Sequence, residues 1–400
     1  MISFDNTEIA FRSKNKQDLL RAYWLFKIIG APAIVKLGKL LTPLALQIHL
    51  PIKGLIKKTI FKQFCGGESI QECDHTIEQL AAFGIGTILD YSVEGKTQED
   101  DFEKTTQIII ETIEKSATDK HIPFAVFKIT GIAQHHLLEL VSSQLRATRK
   151  GENFREFTPD ERAGISAIME RIDRICATAA RHQTRLFIDA EETWIQTAID
   201  QWTFDMMCKY NQNTCIVYNT IQMYRHDRLA YLHAEYEKAK FANIKYGVKL
   251  VRGAYMEKER ARAQAMGYPS PIQPDKAATD HDYNTALSFL VANKDVFSVC
   301  AGTHNEQSSL FLANLLEKEQ IAAADSQFYF AQLLGMSDHI SYNLSDAGYQ
   351  VAKYVPFGPV QEVLPYLLRR ADENTSVAGQ TSRELGLIIK ERARRKQLSA

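Results

Sequence analysis

Eight runs of β-branched and aromatic residues, each followed by a helix-like stretch, set the tightest limit on how this chain can fold. They lie at Gly84–Tyr91, Pro123–Thr130, Arg185–Glu192, Asn213–Tyr224, Tyr246–Tyr255, Phe297–Asn305, Phe328–Gly335 and Tyr349–Gly358. Most are almost continuously apolar, the pattern of parallel strands buried on both faces. Helical patterns such as Asp160–His182 and Arg225–Phe241 separate them. About eight such alternations predict an α/β fold with a (β/α)8 barrel of the TIM type. A doubly wound open sheet is the alternative, but no Gly-x-Gly-x-x-Gly follows any of the runs. Residues 1–80 read as an N-terminal helical region on or near the barrel, 81–376 as the barrel, and 377–400 as a polar helical tail. Gly267–Lys276, rich in proline, reads as the loosest loop.

The balance of charge removes some functions. Lys and Arg together number 48, as do Asp and Glu, so the formal net charge is zero. A general nucleic-acid binder would show a basic excess. The six cysteines, at 65, 73, 176, 208, 215 and 300, form no Cys-x-x-Cys and no Cys/His set with zinc spacing, so they read as reduced thiols and no metal is expected. The apolar stretch from Ala22 onward is interrupted by Lys27, Pro32, Lys36, Lys39 and Pro43. Those breaks rule out a membrane-spanning helix. Residues 22–61 remain open between an amphipathic segment lying on a membrane and helices docked on the main domain, the commoner case.

The ends of the strand-like runs are unusually polar. The first closes on Asp90 and Glu94. The second carries Lys128, and the third Asp189-Ala190-Glu191-Glu192. Gln222 ends the fourth, Lys249-Leu250-Val251-Arg252-Gly253-Ala254-Tyr255 the fifth, and Thr303-His304-Asn305 the sixth. Leu333 lies in the seventh and Tyr354 in the eighth. Singly, each has a plain reading: Asp189 as a helix cap, His304 as a bonded core histidine, Tyr255 and Tyr354 as packing. Together they read as a site, because barrel chemistry gathers at the C-terminal strand ends and burying so many charges without partners is costly. A Schiff-base lysine at Lys128 or Lys249 is one chemistry open to such a site. No Gly-x-Ser-x-Gly appears, which argues against a serine hydrolase.

After the last strand comes a helix on which Tyr366, Arg369, Arg370 and Glu373 share one face. Paired arginines beside a tyrosine suit a small carboxylate. The plain alternative is a solvated basic face with an internal Arg–Glu pair.

Taken in order, Asp189-Ala190-Glu191-Glu192, Gln222, Leu250-Val251-Arg252-Gly253-Ala254-Tyr255, Thr303-His304-Asn305, Tyr354, and Tyr366-Leu367-Leu368-Arg369-Arg370 with Glu373-Asn374 resemble the proline dehydrogenase family. The likeness spans roughly Asp90 to Asn374. It implies a distorted (β/α)8 barrel that binds FAD without a covalent link. The implied reaction is oxidation of L-proline to Δ1-pyrroline-5-carboxylate, by hydride transfer to flavin N5, with a quinone as electron acceptor. By the same resemblance, Arg369, Arg370 and Lys128 hold the proline carboxylate, and Tyr255, Leu333, Tyr354 and Tyr366 wall the ring. Asp189 lies near the site with a hydrogen bond to Tyr354. Gln222, Lys249, Arg252 and the backbone of Val251, Gly253 and Ala254 meet the isoalloxazine or ribityl chain. Thr303, His304, Asn305 and Glu373 hold the adenosine and ribityl parts, with Lys276 and Thr279 near the phosphates. Glu94 pairs with Arg369 to close the pocket.

Two positions refine this. Lys249 stands where many bacterial members carry arginine, and lysine cannot reproduce a guanidinium fork. Tyr354 is kept, which favours proline over hydroxyproline. The chain resembles the single-function form, which implies a separate dehydrogenase for the product. Without an Arg/Ser-rich leader pattern, the expectation is a bacterial cytoplasmic protein with possible peripheral contact at the inner membrane, a mitochondrial protein being the alternative.

Overall fold

All eight expected strands form, and all but the first end earlier than their apolar runs suggest. They are β1 Ile85–Tyr91, β2 Phe124–Phe127, β3 Arg185–Ile188, β4 Val217–Gln222, β5 Tyr246–Val251, β6 Phe297–Gly302, β7 Phe328–Leu333 and β8 Val351–Phe357. In the computed structural model, which describes residues 2–31, 53–93, 95, 97–376 and 380–398, they follow one another in chain order as a closed parallel barrel. The overrun has a local cause. After β2 the chain turns into a single 3-10 turn at Ile129–Gly131. After β5 it leaves the ladder at Gly253, whose φ of +138° has no place in a strand.

The helices are α1 Thr7–Ala10, α2 Lys16–Ile29, α3 Asp74–Ala81, α4 Glu99–Thr118, α5 His135–Arg149, α6 Pro159–His182 and α7 Thr193–Tyr210. They continue with α8 Arg228–Ala242, α9 Met256–Met266, α10 Lys276–Ala292, α11 Glu306–Lys318, α12 Asp338–Asp346, α13 Leu364–Ser376 and α14 Gln380–Leu398. Their limits follow from local chemistry. At the start of α6, Thr158 and Glu161 exchange side-chain to backbone bonds of 3.2 and 2.8 Å, with Pro159 as the first helical residue. Its end is Gln183 in the left-handed region at φ 55°.

The chain forms two compact units: Met1–Glu94 with Ala331–Ala400, and Gly95–Phe330. In the first, β1 and β8 pair in parallel from Ile85↔Val351 to Tyr91↔Phe357. There α2 turns Leu19, Ala22 and Phe26 into a cluster with Ala10, Phe11, Leu387 and Ile388. So part of the apolar stretch near Ala22 packs on α1 and α14, while residues 32–52 of that stretch lie outside the described residues. The polar tail is an amphipathic helix in disguise: besides Leu387 and Ile388, α14 buries Glu384 and Glu391.

In the second unit, strand alternation sorts side chains into layers. Phe124, Phe187 and Tyr218 lie on alternate positions of three neighbouring strands and meet as rings. Phe124 stacks on Phe187 at 4.4 Å, and Tyr218 stands edge-on to both at 5.5 and 5.4 Å. Tyr329 joins Phe124 at 4.9 Å, and Arg185 lies over Phe124 and Tyr329, 5.4 Å from each. These rings form an aromatic floor. Further along the same strands come Lys128 after β2, four residues past Phe124, and Asp189 after β3 and Thr220 on β4, each two residues past its ring.

Tyr218 has space for its ring because Gly247, its partner across β4 and β5, has no side chain. A Cβ at Gly247 would lie 2.3 Å from the ring. Gly247→Ala should destabilise the fold by about 1–3 kcal/mol through overpacking. A shift in the chemical denaturation midpoint would report it, and an unmoved midpoint would show that the ring gives way.

Candidate active site

The C-terminal ends of β2 to β6 carry a buried set of charges. Lys249, on β5, lies 2.6 Å from Asp189 Oδ1 and 5.3 Å above the centre of the Phe187 ring. The Thr220 hydroxyl donates to the same oxygen at 3.4 Å. The other oxygen, Oδ2, is 4.0 Å from Lys128 Nζ. Asp189 is fixed by its backbone too, its N–H donating to Phe127 O at 2.9 Å. Register explains the meeting, because Thr220 pairs with Lys249 across β4 and β5. One carboxylate is thus set between two ammonium groups.

Next to it, the Gln222 amide is buried and donates to Glu191 O at 2.7 Å. Its own carbonyl oxygen accepts no hydrogen bond from any described residue. A buried acceptor without a donor is costly, and it fits a ligand that brings an N–H. Beside it the backbone of Gly253 and Ala254 is exposed. A Cβ at Gly253 would fall 2.4 Å from the Tyr224 ring, so no other residue fits there.

Arg252 organises a second polar group. Its Nε donates to Asp280 at 2.8 Å, Nη1 to Thr303 Oγ1 at 2.5 Å and Nη2 to Ser308 Oγ at 2.9 Å, and its plane lies 4.4 Å from the Tyr283 ring centre. Lys276 pairs with the same Asp280 one helical turn away. Asn305 caps α11 by accepting from Ser308 N at 3.0 Å, and its own N–H donates to Thr303 Oγ1 at 3.0 Å. Thr279 is buried one turn into α10, its hydroxyl donating to Asp275 O at 3.2 Å. His304 is half-buried beside them, and Tyr255 half-buried at the head of α9. Two cationic side chains, hydroxyls and open backbone are a donor set that suits a phosphate-bearing cofactor, and with the Gln222 acceptor they fit a flavin nucleotide.

In the other unit, Tyr366 and Arg370 on α13 are buried, with the guanidinium 5.0 Å from the ring centre, and Arg369 is half-buried. Tyr366 packs with Met336, Val360 and Val363, and Leu333 lies against that cluster. Tyr354 is buried on β8, where its carbonyl accepts from Leu334 N at 2.9 Å. Glu94 and the side chain of Glu373 lie outside the described residues. Among the described residues no group of three His, Cys, Asp or Glu side chains is placed to hold a metal ion.

Sequence reasoning passed over Asp280, and it took Glu191 only as part of the polar end of the third run, with no role of its own. The i, i+4 spacing of Lys276 and Asp280 was the available signal for the first. Glu191 stood in plain view beside Asp189, but nothing in its spacing announces full burial. Its carboxylate accepts from Thr130 N at 3.0 Å and from the Thr130 hydroxyl. Burial pushes its pKa up to about 7, against the pull of those two bonds. A carboxyl that holds its proton more tightly when folded costs stability as pH rises past its unfolded value near 4.5 and on through 7. Glu191→Gln should therefore gain on the parent by about 3 kcal/mol between pH 5 and pH 8. Parallel urea curves at the two pH values would check it, and an equal difference at both would refute it.

Comparison with known proteins fits these features. A profile of the family described as proline dehydrogenase matches residues 73–383. Proline dehydrogenase 1, mitochondrial, of Dictyostelium discoideum is 32% identical over 426 residues, covering 98% of this chain and 74% of that protein. Hydroxyproline dehydrogenase of Xenopus laevis is 30% identical, covering 96% of this chain and 88% of that one. The carbapenem antibiotics biosynthesis protein CarD of Pectobacterium carotovorum subsp. carotovorum is 33% identical, with 86% of each covered. Among solved structures, proline utilization A from Bdellovibrio bacteriovorus superposes with a TM-score of 0.71 at 18% identity, over 92% of this chain. That likeness speaks for the fold, and this chain spans only 38% of that longer one. With the profile matched over most of its length and the Dictyostelium protein aligned almost end to end, this chain belongs to the proline dehydrogenase family of enzymes.

Proposed function

We propose that this enzyme oxidises L-proline to Δ1-pyrroline-5-carboxylate with FAD as cofactor. The observation that carries the reading is the Lys128–Asp189–Lys249 cluster, which brings two cationic side chains to the strand ends, where they suit a small carboxylate. FAD, when bound, would supply the hydride acceptor at N5, with a quinone as the final electron acceptor. Gln222, Lys249, Arg252 and the backbone of Val251, Gly253 and Ala254 would hold its ring and ribityl chain. Thr303, His304, Asn305, Glu373, Lys276 and Thr279 would hold the remainder.

The side chains bind and orient the substrate. Arg369 and Arg370, with Lys128, take the carboxylate, each charge-assisted bond contributing about 1.5–3 kcal/mol. Tyr255, Leu333, Tyr354 and Tyr366 wall the ring and keep water from it. Asp189 holds Lys249 through one carboxylate oxygen and faces Lys128 with the other. Product passes to a separate dehydrogenase.

The word mitochondrial in the names of the Dictyostelium and Arabidopsis thaliana relatives supports a mitochondrial over a bacterial setting. Among the described residues no helix is long and apolar enough to cross a membrane, and a quinone acceptor makes peripheral membrane contact sensible.

Purified protein should show flavin absorption that bleaches when L-proline is added without oxygen. A colourless protein that takes up no FAD would overturn the assignment. Arg369→Met should raise the proline KM about 10- to 100-fold, the loss of one such bond; an unchanged KM would remove the carboxylate clamp. Proline should exceed hydroxyproline in kcat/KM, and Tyr354→Ser should narrow the gap. A parent enzyme that prefers hydroxyproline would put the reading carried by the Xenopus relative's name in its place.

A further inference from the structure

Helix α9 has no apolar side. Of its residues only Glu259 and Ala263 are buried, and Met256 and Met266 at its two ends are exposed. A helix without an apolar stripe gains little from hydrophobic burial, so its docking needs another source.

That source is charge. Glu259 is fully buried, and its two oxygens accept from the backbone N–H and the hydroxyl of Thr193, both at 2.7 Å. Thr193 is the first residue of α7. A helix start presents backbone N–H groups without partners and the positive end of the helix dipole, so a carboxylate there is stabilised even without water. The neighbours of Glu259 work in the same direction. Lys258 pairs with Glu192, the residue that precedes α7, and Arg262 pairs with Glu139 of α5. Both lie over the Trp194 ring, at 5.6 and 4.3 Å.

What α9 carries makes this matter. Glu259 N–H donates to Tyr255 O at 2.9 Å, so the first turn of the helix is continuous with the exit of β5. Glycines bound the element on both sides, Gly253 at φ +138° and Gly267 at φ +70°, and no atom lies within 4 Å of where a Cβ at Gly267 would be. The helix thus hangs between two pivots.

We infer that Glu259 is a positioning residue, which fixes α9 to the start of α7 and so sets Gly253, Ala254 and Tyr255 in place. Its kinetic consequence rests on the flavin and proline reading given above; the docking itself does not.

The test uses the full chain and the substitutions Glu259→Ala, Glu259→Gln and Thr193→Val. Trypsin should cut after Lys258, Arg260 and Arg262 about tenfold faster in Glu259→Ala, reflecting a lost helix-terminus contact, with little change in the overall melting temperature. The same variant should bind added FAD more weakly and raise the proline KM by more than it lowers kcat. Glu259→Gln should fall between, since the amide keeps an acceptor for Thr193 N–H and loses the charge. Thr193→Val should add little on top of Glu259→Ala, because both break one contact. Should Glu259→Ala fail to fold, Glu259→Gln carries the same comparisons. Unchanged cleavage would overturn the docking, and faster cleavage with unchanged FAD binding and KM would overturn the positioning. A parent without flavin or turnover would overturn the proposed function instead, leaving cleavage to decide the docking.

Discussion

A carboxylate and an ammonium 2.6 Å apart, set on aromatic rings, anchor the polar end of the strands. Neither ion tolerates that depth alone, since removal from water costs several kcal/mol and only close pairing offsets it. Their meeting depends on register. Tyr218 faces Gly247, and two residues on Thr220 faces Lys249. A slip of one residue would turn Lys249 away from Asp189 and drive an apolar neighbour into its place. The packing of Tyr218 into the space left by Gly247 therefore guards the electrostatics two residues above it.

The first unit holds its own loops by different means. Lys353 is fully buried on β8, and its ammonium reaches Asp338 at 2.9 Å and the carbonyl of Met336 at 2.5 Å. Gln63 donates to Gly335 O at 2.9 Å. Gly335 has a φ of +75°, and a Cβ there would lie 2.1 Å from Gln63 O. The turn after β7, which follows Leu333, is thus pinned from two directions.

The strands were legible because burial on both faces writes itself into composition. Asp189, Gln222 and Lys249 were legible because polar residues at the end of such runs have few other reasons to be there. Strand ends were not, since backbone geometry at Gly253 and Ile129–Gly131 decides them. Glu259 was invisible: on a helix this polar, sequence gives every residue the look of a solvated one, and only tertiary placement singles out the one that is buried. The division into units was hidden too, because one of them joins the first part of the chain to the last.

The aromatic floor has a consequence for descent. Phe124, Phe187, Tyr218 and Tyr329 pack on one another beneath the polar strand ends, with Phe187 in turn under Lys249, so much of the barrel's cohesion comes from the rings themselves. Residues at the strand ends can then drift one at a time, each change judged on what it does for catalysis and not on whether the protein survives it. A scaffold divided in this way is free to acquire new substrates, and the floor is where lineages that have parted in function should still look alike.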